Sequence, residues 1–398
     1  MATRTHYLDN SATTPLCVAA REKINDIMDH VYGNPSSLHT LGVEAEAAVT
    51  EARMKILAAL CPVRSGIHPR AENLIFTASG TEANNLALIG AAVAKQRNRG
   101  KTVIVGESEH PSILESAKRL ESLGFRVIRI PSPGGAWDME AYRHALGKDS
   151  ILVSAMLVNN ETGAVNDIAE IASMAREANP EVLVHCDAVQ GYLKVDICPA
   201  LYADMVTLSA HKIGGPKGVG ALYIDDKIRK TRALSPVIFG GGQEWGLRSG
   251  TENVIGIAGF GAAAADGAAG FSGFLSRMST LRDMLEEGIT PFAAFGVRIN
   301  TPRTKRIAPH IASLTVPGIR SETLLHSLSS EGVFVSSGSA CSSHTGHASS
   351  TLLSFGLSKE EADCTIRISF GTQNTEEDIH AFLSALENSL CKLARVKR

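Results

Sequence analysis

Val206-Thr207-Leu208-Ser209-Ala210-His211-Lys212-Ile213-Gly214-Gly215-Pro216 decides how the rest of the chain is read. Apolar and β-branched residues run into a Ser, a His and a Lys, and a Gly-Gly-Pro breaker follows. This is the pattern of a buried strand that delivers polar side chains to a loop at its end. A lysine held there is a candidate for covalent chemistry, because burial lowers the pKa of its amine. Taken alone, a surface lysine in a glycine-rich turn is the commoner arrangement, since lysine is rarely buried. The surrounding chain must decide.

Outward from this stretch, short β-type runs occupy 74–77, 102–105, 127–130, 151–158, 182–186, 205–209 and 220–224. Helical periodicity fills 82–97, 112–123 and 167–178 between them. Such alternation predicts an α/β domain around a mostly parallel, seven-stranded sheet. The last two runs are joined only by the glycine-rich turn, which predicts one antiparallel strand. An amphipathic helix is expected over 43–60, and a tightly packed internal helix over the Gly/Ala-rich 255–271. Beyond Gly256 strict alternation stops. Helices over 275–288 and 375–393, with apolar pieces between, predict a smaller α+β domain. The expected division is a large domain over 15–257 and a small one from 1–14 and 258–398.

Composition narrows the function classes. At 398 residues the chain exceeds what one growing core accommodates. A net charge of −2, with scattered basic residues, gives no electrostatic draw toward nucleic acid or an anionic membrane. No apolar run is long enough to span a bilayer, and Met1-Ala2-Thr3-Arg4-Thr5-His6-Tyr7 lacks the apolar segment of a secretory signal. The seven cysteines are odd in number and form no CxxC pair, so a reducing, cytoplasmic setting is expected.

Open α/β sheets bind ligands at the carboxyl ends of their strands. Ser79-Gly80-Thr81, Asn159-Asn160, Asp187 and Ser209/His211/Lys212 all follow such runs. Gly80 permits a sharp turn, and Thr81 can cap the following helix, whose first N–H groups would then bind a phosphate. An ordinary helix cap has the same sequence. Neither a dinucleotide fingerprint nor a Walker motif is present, and Gly214-Gly215-Pro216-Lys217-Gly218 has the wrong spacing for a P-loop. Any phosphate ligand is therefore smaller than a dinucleotide. Asp187 at a buried strand end needs a positive partner, such as a protonated ring nitrogen, unless it is a turn residue. Gln190 lies three residues on. A phosphate cradle, an acid for a pyridinium and a reactive lysine together describe pyridoxal phosphate chemistry.

At this point the chain resembles the cysteine desulfurases of the class V aminotransferase group, over nearly its whole length. The resemblance rests on Tyr7-Leu8-Asp9-Asn10-Ser11-Ala12-Thr13-Thr14-Pro15, Gly33-Asn34-Pro35-Ser36-Ser37 and Phe76-Thr77-Ala78-Ser79-Gly80-Thr81-Glu82-Ala83-Asn84-Asn85. It continues through Glu109-His110, Val158-Asn159-Asn160-Glu161-Thr162-Gly163, His185-Cys186-Asp187-Ala188-Val189-Gln190 and Ser209-Ala210-His211-Lys212. Arg248-Ser249-Gly250-Thr251 and Ser336-Ser337-Gly338-Ser339-Ala340-Cys341 complete it.

The resemblance implies that Lys212 holds pyridoxal 5'-phosphate covalently, with its phosphate on Gly80, Thr81, Ser209 and His211. Thr251 would reach the cofactor phosphate of a neighbouring subunit, which implies a homodimer. Asp187 would pair with the ring nitrogen, Asn160 and Gln190 with the ring oxygen, and His110 would stack on the ring and move protons. Arg367 would clamp the substrate carboxylate, assisted by Asn34. Cys341 would take the sulfur of L-cysteine as a persulfide, leaving L-alanine. The sulfur would pass to an acceptor protein, either an iron–sulfur scaffold or a tRNA thiolation factor.

A selenocysteine lyase is the nearest alternative, because it shares the cofactor and much of the site. Cys341, His344 and His347 could also be read as metal ligands, but three loop residues without a fourth are a weak zinc pattern, and no metal site is expected. One local departure from the family is Thr372, which follows Gly371 where an Arg commonly stands.

Overall fold

The computed structural model describes residues 5–95, 100–301, 306–338 and 349–394. Cys341, His344 and His347 lie outside the described residues. Among the described residues, twelve strands form three sheets. In chain order they are β1 (His6–Tyr7), β2 (Leu74–Thr77), β3 (Thr102–Gly106), β4 (Arg126–Ile130), β5 (Ser150–Met156), β6 (Leu183–Asp187), β7 (Met205–Ser209), β8 (Gly220–Ile224), β9 (Arg298–Ile299), β10 (Ile311–Thr315), β11 (Val333–Phe334) and β12 (Thr365–Ser369).

The large sheet has the order β2-β8-β7-β6-β5-β3-β4. Strands β4, β3, β5, β6 and β7 run parallel, and β8 is antiparallel to both β7 and β2. A short turn cannot return the chain to the same end of a sheet, so β8 had to reverse. Apolar side chains fill both faces of the sheet, as expected of parallel strands covered by helices. A second core gathers Leu8 with residues of the segment 278–390 around β9, β10 and β12. No single helix among the described residues is long and apolar enough to cross a membrane.

The expected domain boundary at 257/258 falls inside the helix Val254–Ala269. Ile257, Ala258, Phe260 and Ala264 of that helix pack into the core of the large sheet, against the helix Thr40–Leu60. Gly261 makes the approach possible: a Cβ there would sit 2.5 Å from Ala52 Cα. Small residues bring the two helix backbones together, so the helix stays with the large sheet.

The expected helix over 82–97 begins at Gly80 and contains a wider turn, Leu86–Gly90, before Ala91–Lys95. Gly90 lies where a Cβ would meet Ser235 O at 2.5 Å, so the bulge passes a neighbouring backbone that no side chain would clear. At Thr372, the guanidinium of Arg277 donates to the backbone oxygen (2.7 Å).

A buried ion pair locks β2, the strand that leads into Ser79. Arg53 Nη1 and Nη2 each donate to Glu244 at 2.8 Å, and Glu244 also accepts from Phe76 N (2.9 Å). The guanidinium lies over the rings of Phe76 and Trp245, at 4.5 and 4.7 Å. Glu244 and Trp245 both carry left-handed backbone (φ 48° and 54°), which the pair holds in place. Glu244→Ala leaves Arg53 buried and uncompensated. We expect it to lower stability by about 3–5 kcal/mol in denaturant titrations; a loss below about 1 kcal/mol would show the pair to be dispensable.

His185 on β6 is fully buried, bonded to Ser154 Oγ (2.8 Å) and Thr207 Oγ1 (3.0 Å). Burial lowers its pKa from 6.5 to about 4. Above pH 6.5 neither the folded nor the unfolded state holds the proton. Between 6.5 and 4 only the unfolded chain takes it up, so stability falls as pH falls through that window. The slope is about 1.4 kcal/mol per pH unit. Urea midpoints at pH 7 and pH 5 should show His185→Gln losing about 2 kcal/mol less than wild type over that step. Equal losses in the two proteins would contradict the assignment.

Candidate active site

The carboxyl ends of β2, β5, β6 and β7 open into one cavity of ≈ 260 Å³. Gly80, Thr81, His110, Asn160, Asp187, Gln190, Ser209, His211, Lys212 and Arg367 all line it. The scale suits a small ligand rather than a dinucleotide.

Lys212 closes the short turn Ala210–Lys212 directly after β7. Its Nζ donates to the backbone oxygens of Ser11 (2.5 Å) and Ala12 (2.8 Å). Those carbonyls belong to the polar turn after β1, some two hundred residues away. These two backbone carbonyls thus help to aim the amine. Gln190 Nε2 donates to the same Ser11 oxygen (2.8 Å). His211 meets Thr13 Oγ1 (3.1 Å), and burial, followed by the charge of Lys212, lowers its pKa to about 3. It is a neutral imidazole at physiological pH.

Asp187 ends β6 and is 6% exposed. One carboxylate oxygen accepts from Asn84 Nδ2 (2.8 Å), the other from Val189 N (3.0 Å). Asn84 Nδ2 also donates to Ser112 Oγ (2.9 Å), and Ser112 Oγ lies 2.8 Å from His110 Nδ1. Ser112 N donates to that same ring nitrogen (3.1 Å). With Nδ1 accepting, the proton of a neutral His110 resides on Nε2. Burial lowers the pKa of His110, which favours this neutral form. A relay therefore connects Asp187 to His110 through Asn84 and Ser112.

Across the cavity, Arg367 projects from β12. Its Nη2 donates to Asp9 (2.7 Å) and its Nη1 to Asn160 O (3.0 Å). Its buried Nε has no protein partner, an arrangement that buried donors rarely tolerate without a ligand or water.

Two expectations fail on position. Thr81 does not cap the helix after β2; Ser79 does, its Oγ accepting from Glu82 N (3.1 Å). The strand ends at Thr77, as read, and the helix starts at Gly80, two residues earlier than a Thr81 cap requires. Thr81 instead lines the cavity. Asn34 is exposed and outside the cavity, its Oδ1 turned back on Ser36 N (2.9 Å) within its own loop. Thr251 is also exposed and absent from this chain's cavity.

Ser11, Ala12, Asn84 and Ser112 were given no role from sequence. Asn84 lies five residues after Ser79, on the helix that starts at the cavity, so helical spacing could have pointed to it. The carbonyls of Ser11 and Ala12 carry no side-chain signal at all. Among the described residues no group of three or more His, Cys, Asp or Glu could hold a metal ion.

Comparison with known proteins agrees with this geometry. The family profile "Aminotransferase class-V" matches residues 6–382. The Cysteine desulfurase IscS of Dictyoglomus turgidum is 38% identical over 393 residues, covering 98% of this chain and 95% of that protein. A solved NifS-like protein superposes with a TM-score of 0.88 at 34% identity, covering 98% of this chain and 100% of the other. The structure of SspA in complex with cysteine superposes with a TM-score of 0.76 at 30% identity, over 92% of this chain and 98% of that one. A family match of this extent, on a sheet whose strand ends meet at Lys212 and Asp187, establishes that the chain belongs to the class V aminotransferase family.

Proposed function

We propose that this protein is a pyridoxal-phosphate-dependent cysteine desulfurase, which converts L-cysteine to L-alanine and carries the sulfur as a persulfide on Cys341. The observation that carries the reading is the convergence of Lys212, Asp187 and Arg367 on one cavity.

The residues present fit the cofactor. Asp187 offers a buried carboxylate to a ring nitrogen, and Lys212 an amine for covalent attachment. Gly80 and Thr81 supply the first N–H groups of a helix, which suit a phosphate. At Gly80 a Cβ would approach Val189 Cγ2 to 3.0 Å, so a larger residue would press the helix start away from β6. Asn160 and Gln190 would bond the ring oxygen, and Ser209 and His211 the phosphate; all four line the cavity. When bound, pyridoxal phosphate supplies an electron sink for charge developing at the substrate's α-carbon.

The chain's own residues then divide the work. Arg367 binds and orients the substrate carboxylate through its guanidinium. Lys212 Nζ takes the α-proton, and His110, protonated at Nε2, moves protons. Cys341, as thiolate, takes the substrate sulfur; the remaining three-carbon unit gains a proton and leaves as L-alanine. Asn34 has no place in this chain's cavity, and any part it plays requires its loop to move or to serve a second subunit. The exposed Thr251 suits a phosphate contact in a partner subunit, so the proposal includes a homodimer. The division into a large cofactor-binding domain and a small domain carrying Cys341 belongs to the same reading, with the helix Val254–Ala269 assigned to the large one. An iron–sulfur scaffold or a tRNA thiolation factor is the proposed acceptor.

The test is direct. Purified protein should be yellow, form L-alanine from L-cysteine, and release sulfide once a reductant is added. Failure to form L-alanine from L-cysteine, with turnover of selenocysteine instead, would replace the reading by a selenocysteine lyase.

A further inference from the structure

We propose that Cys61 and Cys198 form a reactive dithiol, oxidised by a peroxide to an intramolecular disulfide, at a site separate from the cofactor cavity. Cys61 directly follows the helix Thr40–Leu60, and Cys198 opens the turn Pro199–Leu201. The fold brings these distant segments side by side. Cys198 Sγ donates to Leu60 O at 3.2 Å, the carbonyl immediately before Cys61. Leu60 O belongs to the peptide group that leads into Cys61, so the Cys198 thiol stands against the backbone that carries Cys61. Two further ties hold the seam: Tyr192 OH donates to Ile56 O (3.0 Å), and Arg64 pairs with Asp196. Both cysteines are free thiols in the structure.

The pair is asymmetric. Cys61 is 4% exposed, whereas Cys198 is half-buried. Clefts of ≈ 320 and ≈ 460 Å³ both reach Cys198, and Arg64 and Asp196 line both of them. A small oxidant can therefore meet Cys198 but not Cys61. The neighbouring Cys61 thiol, with the N–H groups of Leu201 and Ala200 and the charge of Arg64, draws the Cys198 thiol down to about 7 despite its burial. The Cys198 thiol beside it, together with burial, raises Cys61. An accessible thiolate beside a buried thiol is the pairing that separates an attacking from a resolving cysteine. Cys17 and Cys186 lack it, since burial raises both.

The chemistry balances with hydrogen peroxide as the oxidant. Cys198 thiolate attacks one peroxide oxygen; the S–O bond forms, the O–O bond breaks, and hydroxide leaves. Sulfur loses two electrons and becomes a sulfenic acid. Cys61 sulfur then attacks Cys198 sulfur, the S–O bond breaks, and the thiol proton of Cys61 leaves with the displaced hydroxide as water. In sum, two thiols lose two hydrogens and one peroxide becomes two waters.

The experiment treats the holoenzyme with hydrogen peroxide and maps its peptides by mass spectrometry without reduction. A crosslinked peptide joining Cys61 to Cys198, lighter by two hydrogens than its parts, is the expected result. Recovery of both as free thiols, or a link from Cys198 to another cysteine, would overturn the proposal. In Cys61→Ser the sulfenic acid at Cys198 should persist and be trapped by dimedone; in Cys198→Ser, Cys61 should stay reduced. Neither residue lines the cofactor cavity, so both variants should keep wild-type L-alanine formation. Without any substitution, Cys198 at pH 7 should be alkylated about tenfold faster than Cys17, and equal rates would count against the thiolate.

Discussion

Lys212→Ala is expected to give a folded, colourless protein whose L-alanine formation from L-cysteine falls by about a thousandfold or more. In the proposed mechanism, alanine removes both the amine that would hold the cofactor and the base that would take the substrate α-proton. Folding should survive, because the lysine's role in the apoprotein is local. Its Nζ contacts two carbonyls, and Ser11 O keeps its bond from Gln190 Nε2. The turn itself is held independently: Thr14 N and Thr14 Oγ1 both donate to His211 O, and Gly214 N donates to Thr14 Oγ1. Circular dichroism should therefore match wild type while the visible absorbance of bound cofactor is lost. A wild-type visible spectrum in this variant would remove Lys212 from its assigned role.

Cys341→Ser should do the reverse: keep the colour and lose the conversion of L-cysteine by about a thousandfold or more. A serine hydroxyl is neither ionised near neutral pH nor able to form a persulfide. A free thiol, with a reference pKa of about 8.5, is a few per cent thiolate and reacts. The described residues flanking this segment are tied to the cavity wall. Ser336 exchanges both backbone hydrogen bonds with Arg367, and Ser349 Oγ donates to the buried carboxylate of Glu161 (2.6 Å). Gly338, with φ 98°, passes so near Glu161 that a Cβ would be 3.0 Å from its carboxylate oxygen. The chain on both sides of Cys341 thus converges on Glu161, next to Asn160 of the cavity. Absorbance spectra and alanine assays on the same preparation separate the two variants. Full L-cysteine activity in Cys341→Ser would end the persulfide mechanism.

Much of this was legible before any coordinates. The seven β-type runs became the seven strands of the large sheet, and the short glycine-rich link correctly marked β8 as antiparallel. Lys212 and Asp187 stand out as strand-end residues, His110 and Arg367 follow from the resemblance to the cysteine desulfurases, and the fold puts all four around one cavity. Strand ends in an α/β sheet carry a strong local signature, an apolar run followed at once by polar residues and glycine, so the site residues on them are visible in one dimension.

What the sequence determined by itself was the order of strands and helices, the class V family, and the residue types that chemistry at Lys212 requires. Each depends on periodicity or on motifs only a few residues long. The tertiary structure decided the rest. It made Ser79 the helix cap, turned Asn34 away from the cavity, and kept the helix Val254–Ala269 on the large sheet through contact with Ala52. It supplied the Asn84–Ser112 relay between Asp187 and His110, and aimed Lys212 with the carbonyls of Ser11 and Ala12. These features are hydrogen bonds and close approaches between segments far apart in the chain. Every residue has a backbone carbonyl, so nothing in a sequence distinguishes the two that hold the lysine.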